Sequence, residues 1–364
     1  MAATIQNRRI YLDHAATSPM RPAAREAMVE GMLRWANPSS PHAEGRAARA
    51  ALEDARGAIG AAYGWSGDVL LTSGASESIA IGVERAVVDT RIVTNVEHDA
   101  VMRWVRPGVA VVAVDSNGLV DTVALDDLLP RDRRALVVVQ WANSETGVRQ
   151  PIAAIANVVH SAGGLLMVDA AQMPAGADPD VAGHADLVVL SAHKRGGPPG
   201  VGALLVRDLA MLMPTGGQER GYRPGTENLP GVLGYAAALG EAEPVSHYAE
   251  LRASLEAAIV TAGGEIIGGG APRHPAIGAY RMGGVSSAAQ LIQFDSQGFA
   301  VSAGSACASG TLKTSHVLAA MGVSEVARKE VVRVSFGRDT SMEEVQAFAA
   351  AWRQVARAGR RFLA

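Results

Sequence analysis

Asp186-Leu187-Val188-Val189-Leu190-Ser191-Ala192-His193-Lys194 is the stretch on which the reading of this chain turns. Its apolar centre has no polar alternation, which fits a strand buried on both faces. The run then breaks into a serine, a histidine and a lysine. Gly196-Gly197-Pro198-Pro199-Gly200 follows and cannot continue a strand. Similar apolar runs occur at Val69-Leu70-Leu71-Thr72, Arg91-Ile92-Val93-Thr94, Val109-Ala110-Val111-Val112, Ala135-Leu136-Val137-Val138-Val139, Leu165-Leu166-Met167-Val168 and Gly202-Ala203-Leu204-Leu205-Val206. Helical patterns fall between several of them, at Glu77 to Ala86, Leu125 to Leu129 and Ile152 to Ser161. This alternation predicts an α/β domain around a mostly parallel, doubly covered sheet. From about Pro230 the pattern changes. One long helical stretch, Gly231 to Ala262, is expected to leave the sheet domain, and Gly263 to Ala364 to form a smaller α+β unit. Gly268-Gly269-Gly270-Ala271-Pro272 reads as a loop.

Composition narrows the function classes. The chain has 364 residues, 48% of them hydrophobic, enough for a large domain and a smaller one. A net charge of −3 gives no reason to expect nucleic acid or a membrane surface as a partner. Arg353, Arg357, Arg360 and Arg361 form the one basic cluster, read as cations near a helix C-terminus. Met1 to Arg9 is polar, unlike a signal peptide, and no apolar run is long enough to span a bilayer. A single cysteine with no signal fits a reducing cytoplasm. The nine histidines show no paired metal-ligand spacing, so no metal is expected.

Ligands of parallel sheets gather at the C-terminal strand ends, and the chemically capable residues stand there. Thr72-Ser73-Gly74-Ala75-Ser76-Glu77 follows one strand and starts a helix, a place for a phosphate or for an ordinary Ser/Glu cap. His98 follows another strand. Asp169 ends a third, with Gln172 three residues on, and Lys194 follows a fourth. The only lysines are Lys194, Lys313 and Lys329, while arginine is abundant. Lysine, unlike arginine, can lose its proton and form an imine. Lys313 and Lys329 read as surface residues. A phosphate turn, an acid, an imidazole and a lysine at neighbouring strand ends have one economical explanation, pyridoxal 5'-phosphate (PLP). Its aldehyde needs the lysine and its pyridine nitrogen needs the aspartate.

Cys307 is the sole thiol, within Ser302-Ala303-Gly304-Ser305-Ala306-Cys307-Ala308-Ser309. It has no partner for an internal disulfide. It is either a small core filler or a nucleophile, and the site at the strand ends favours the nucleophile.

In order along nearly the whole chain, these segments resemble a NifS/IscS-like cysteine desulfurase of the class V aminotransferase family, a PLP-dependent fold type I protein. The matching segments are Tyr11 to Thr17, Asn37-Pro38-Ser39-Ser40, Thr72 to Glu77, Glu97-His98, Val168 to Gln172, Ser191 to Lys194, Arg220 to Asn228, Ser305-Ala306-Cys307 and Arg333-Val334-Ser335. The resemblance implies a large PLP-binding α/β domain over residues 13–245. A small α+β domain, residues 1–12 with 246–364, would carry the cysteine segment. It implies that Lys194 binds the cofactor aldehyde and moves protons, that Asp169 pairs with the pyridine nitrogen, and that His98 stacks on the ring. Gln172 would contact the phenolic oxygen. Ala75, Ser76, Ser191 and His193 would surround the phosphate, with Thr226 contributed by the other subunit of a homodimer. Asn37 and Arg333 would hold the carboxylate of L-cysteine. Cys307 would take the sulfur as a persulfide, leaving alanine, and pass it to an acceptor protein such as an iron–sulfur scaffold or sulfur carrier. Selenocysteine cleavage and transamination are the alternatives within the class, and a non-catalytic partner protein is the alternative outside it. One departure stands out. Asn143-Ser144-Glu145 has Ser144 where the family commonly has a second asparagine.

Overall fold

The computed structural model describes residues 9–304 and 314–363. Among these, the strands are β1 (Ile10–Tyr11), β2 (Asp68–Thr72), β3 (Thr90–Thr94), β4 (Val109–Val112), β5 (Ala135–Gln140), β6 (Leu165–Asp169), β7 (Leu187–Ser191), β8 (Gly202–Val206), β9 (Glu265–Ile266), β10 (Ile277–Arg281), β11 (Phe299–Ala300) and β12 (Val331–Ser335). All seven apolar runs read from the sequence are strands of one sheet, in the order β2-β8-β7-β6-β5-β3-β4. Only β8 runs against the rest, pairing antiparallel with both β2 and β7. The result is an α/β fold with a mostly parallel central sheet.

Both faces of that sheet are covered, which is why its strands lack polar alternation. Successive side chains point to opposite faces. Val137, Val168, Val188 and Leu190 therefore join one core, with Leu52 and Ile59 of helix Ala43–Ala62 and Ile155 and Val159 of helix Ile152–Ser161. Leu136, Val138, Met167 and Val189 join the other, with Ile79 and Val83 of helix Ala75–Arg85. Each such side chain contributes roughly 1.5–3 kcal/mol of transfer free energy, so the two covered faces dominate the fixing of the strand ends.

A third core unites the two chain ends. Ile10 and Leu12 pack with Leu251, Leu255, Phe294, Phe348 and Trp352. Over it lies the antiparallel sheet β12-β10-β9, while β1 pairs in parallel with β11. Residues 268–272 lie in the connection between β9 and β10, as the glycines predict.

The expected single helix from Gly231 to Ala262 is in fact two, Leu229–Leu239 and Val245–Thr261. Proline has no N–H to continue the ladder, and Pro244 starts the second helix. Between them, Glu243 turns inward to pair with Arg21 at 3.1 Å. The first helix does not leave the sheet domain either. Leu229, Val232 and Tyr235 belong to the same core as Leu52 and Val168.

Candidate active site

The strand order carries the ends of β2, β5, β6 and β7 to one edge of the sheet. There they wall a cavity of about 530 Å³. Ala75, Ser76, His98, Asp169, Gln172, Ser191, His193, Lys194 and Arg333 all line it, as do Ser144 and Gly304.

The turn after β2 is shaped for an anion. Helix Ala75–Arg85 begins after Gly74, and no side chain caps it. Its first N–H groups have no intrahelical partner and add the positive end of the helix dipole. The Glu77 carboxylate instead accepts the Ser73 N–H at 2.5 Å and Arg223 Nε at 3.0 Å. Burial pushes this carboxyl up, but Ser73 and Arg223 outweigh it and hold the group below its ordinary range. The turn packs tightly on β8. A Cβ on Gly202 would stand 2.6 Å from Gly74 Cα and from the Leu190 carbonyl oxygen. Only glycine lets the turn approach so closely.

Lys194 lies on the short 3-10 turn Ala192–Arg195 that follows β7. Burial lowers its pKa to about 8. Asp169 opposes the shift, while Arg333 and Arg195 reinforce it. A useful fraction of the amine is therefore neutral at neutral pH. Asp169 ends the adjacent strand and is buried, with Oδ1 accepting the Ala171 N–H at 3.0 Å. Burial, then the Lys194 charge, push His98 below its ordinary range. Its Nδ1 accepts the Ala100 N–H at 3.1 Å, so the neutral ring carries its proton on Nε2. His193 is lowered by burial, then by Lys194 and Arg195, and its Nδ1 lies 3.0 Å from Thr17 Oγ1.

Gln172 is held from two sides. Its Nε2 donates to the Ala15 carbonyl at 2.9 Å, and its own carbonyl lies 3.0 Å from His274 Nε2. Its Oε1 is buried without a partner. Arg333, on β12, donates to the Ser144 carbonyl at 2.9 Å and to Asp13 Oδ1 at 2.7 Å.

One expected contact, Asn37, is not brought to the cavity. Asn37 is exposed, its Oδ1 accepting the Ser39 N–H at 2.8 Å. Thr226, expected to serve the other subunit's site, is exposed and away from this chain's own cavity. The segment leading to it is anchored by Glu219, which is buried against Arg56 and accepts the Leu71 N–H at 2.8 Å. Cys307 lies outside the described residues, as does Lys313. Lys329 is exposed and paired with Glu325.

The sequence reading did not assign Glu97, His316, Gln140 or Glu145, all of which line the cavity. Burial pushes the Glu97 carboxyl up to about 8, against hydrogen bonds from Thr94 and Gln140. His316 Nε2 lies 2.9 Å from the Glu97 carbonyl. The one signal available was the place of Glu97 beside His98 at a strand end. Among the described residues, no cluster of His, Cys, Asp or Glu is set to hold a metal. No described helix is long and apolar enough to cross a membrane.

A partly neutral lysine beside a buried aspartate, opposite a helix start open to an anion, defines a site for a cofactor that is both aldehyde and phosphate. The orphaned Gln172 Oε1 and the uncapped turn at Ala75 are polar groups such a cofactor would satisfy. Fold and site are those of a PLP-dependent enzyme. The aminotransferase class-V model matches residues 10–348, and the chain belongs to that family. Among curated relatives, the cysteine desulfurase of Cereibacter sphaeroides is 36% identical over 360 residues, covering 93% of each chain. The cysteine desulfurase of Klebsiella pneumoniae is 35% identical over 363 residues, covering 93% of this chain and 90% of the relative. A solved NifS-like protein from Rickettsia africae superposes with a TM-score of 0.85 at 27% identity, covering 96% and 99% of the two chains.

Proposed function

We propose that this enzyme removes sulfur from L-cysteine, yielding L-alanine and a persulfide on Cys307 that passes to an acceptor protein. The observation that carries the reading is the pairing of Lys194, its pKa drawn down to about 8, with Asp169 on the next strand end, above a cavity that Arg333 also lines. The relatives' shared activity gives the substrate. PLP, when bound, supplies an electrophilic carbonyl and a ring that withdraws electrons from the substrate's α-carbon. Ala75, Ser76, Ser191 and His193 would hold its phosphate, and Asp169, Gln172 and His98 its ring. Lys194, neutral in part, is the group that takes and returns protons at its Nζ. The Arg333 guanidinium presents a planar fork suited to a carboxylate.

Cys307 is assigned the sulfur because the sequence has no other thiol. Its thiolate attacks the substrate sulfur and an S–S bond forms. The C–S bond breaks with its electron pair left on carbon, which takes a proton to become the methyl of alanine. Atoms and electrons balance without an added oxidant. PLP-loaded enzyme given L-cysteine is expected to release alanine in step with sulfur transferred. Production of a 2-oxo acid in place of alanine would instead indicate transamination.

Residues 13–245 are taken as the cofactor-binding unit and 1–12 with 246–364 as the smaller one. Exposure of Thr226 on a rigidly anchored segment supports a homodimer in which it completes the partner's phosphate site. A dimer mass by light scattering is expected, and a fully active monomer would refute it. The acceptor is read as an iron–sulfur scaffold or sulfur carrier. A reducing compartment such as the cytoplasm suits a thiol that must return to the reduced state each cycle.

A further inference from the structure

Glu145 lies on the wall between the cofactor cavity and a second cavity of about 280 Å³. Its place is fixed from behind. Its N–H donates to Asn143 Oδ1 at 2.9 Å, and the preceding carbonyl, of Ser144, accepts Arg333 Nη1 at 2.9 Å. The carboxylate is buried, and one of its oxygens serves two segments. Ser315 Oγ donates to Oε2 at 2.6 Å, while accepting the Leu318 N–H at 3.0 Å as the cap of helix His316–Ala320. Gly304 lies close to the same oxygen. A Cβ there would stand 2.7 Å from Oε2, and φ is +55°, so a side chain is disfavoured twice over. Gly304 and Ser315 stand on either side of the stretch that contains Cys307. Nearby, Ser302 exchanges backbone hydrogen bonds with Arg333, its N–H donating at 3.2 Å and its carbonyl accepting at 2.6 Å.

We propose that Glu145 is a positioning residue for sulfur transfer: its buried carboxylate ties Ser315, and packs beside Gly304, on the two flanks of the Cys307 stretch, close to the Arg333 proposed to hold the substrate. This deepens the proposed function and rests on its assignment of Cys307. Glu145 acts through Ser315 and Gly304, so its loss should spare cofactor and substrate binding while slowing the thiol's attack. Misplacing a reacting group by about 1 Å costs on the order of a hundredfold in rate.

The test is single-turnover kinetics on PLP-loaded Glu145→Ala, Glu145→Gln and Ser315→Ala. Two signals are followed, the change in cofactor absorbance on adding L-cysteine and the appearance of persulfide on Cys307. In Glu145→Ala the absorbance change should keep its rate within about twofold, and persulfide formation should slow by at least about tenfold. Glu145→Gln keeps an acceptor for Ser315 and should recover to within about threefold. Ser315→Ala should slow persulfide formation alone, and it decides the matter if Glu145→Ala does not fold. Wild-type persulfide rates in the alanine variants, or equal slowing of both signals, would overturn the inference. A wild-type enzyme that never forms persulfide on Cys307 would overturn the proposed function, and this inference with it.

Discussion

Lys194→Ala is expected to lose turnover of L-cysteine by at least about 10⁴-fold, together with the visible absorbance of covalently held PLP. Two functions leave with the amine, the bond to the cofactor and the movement of protons at the α-carbon. Lys194→Arg should not restore them, because a guanidinium remains protonated. The same lysine sets a pH dependence. In the apoprotein only the neutral amine can attack an aldehyde, and burial places its pKa at about 8. Recombination of apoenzyme with PLP should therefore speed up as pH rises and level off above about 8. At pH 7 about a tenth of the amine is neutral, on the order of 300-fold more than for an ordinary lysine. The rate of absorbance recovery across pH 6 to 10, on the order of hours at most, checks this. A midpoint near 10, or near-normal turnover by Lys194→Ala, would remove Lys194 from the site.

The large sheet was readable because each of its central strands is buried on both faces and so carries an apolar run with no polar interruption. The polar residues that end those runs, Ser191 to Lys194 and Asp169, stand at the cavity because every strand but β8 points to the same edge. The break between Leu239 and Val245 was missed because helical patterning continues on both sides of it. Gly240 and Pro244 were the local signals. Glu243, between those two residues, also pairs with the remote Arg21. Glu97 was missed for a different reason. An acid after a strand looks like any capping or surface acid, and only its complete burial in the folded chain, against the hydrogen bonds from Thr94 and Gln140, pushes its carboxyl up. Asn37 shows the opposite limit: its segment matches a family pattern, yet in the single chain it is exposed and its Oδ1 accepts the Ser39 N–H.

Cys307→Ser should separate cofactor chemistry from sulfur transfer. The variant keeps every described residue of the cavity wall, so it should bind PLP and respond to L-cysteine with the wild-type absorbance change. Alanine formation should fall by at least about 10³-fold, since a hydroxyl is a poor attacker at sulfur and loss of a nucleophile removes most of a catalytic unit's power. No second cysteine exists in the chain to substitute. A cysteine that merely fills space would behave otherwise, with serine costing some stability while surviving protein stayed active.

The most direct measurement is the mass of the proteolytic fragment carrying Cys307. PLP-loaded wild-type enzyme is given one equivalent of L-cysteine without reductant, then blocked with an alkylating reagent. The expected result is a persulfide on Cys307 in an amount equal to the alanine released. Alanine released while Cys307 remains a plain thiol, with the sulfur free in solution as sulfide, would contradict the assignment of this chain as an enzyme that carries sulfur on its own cysteine.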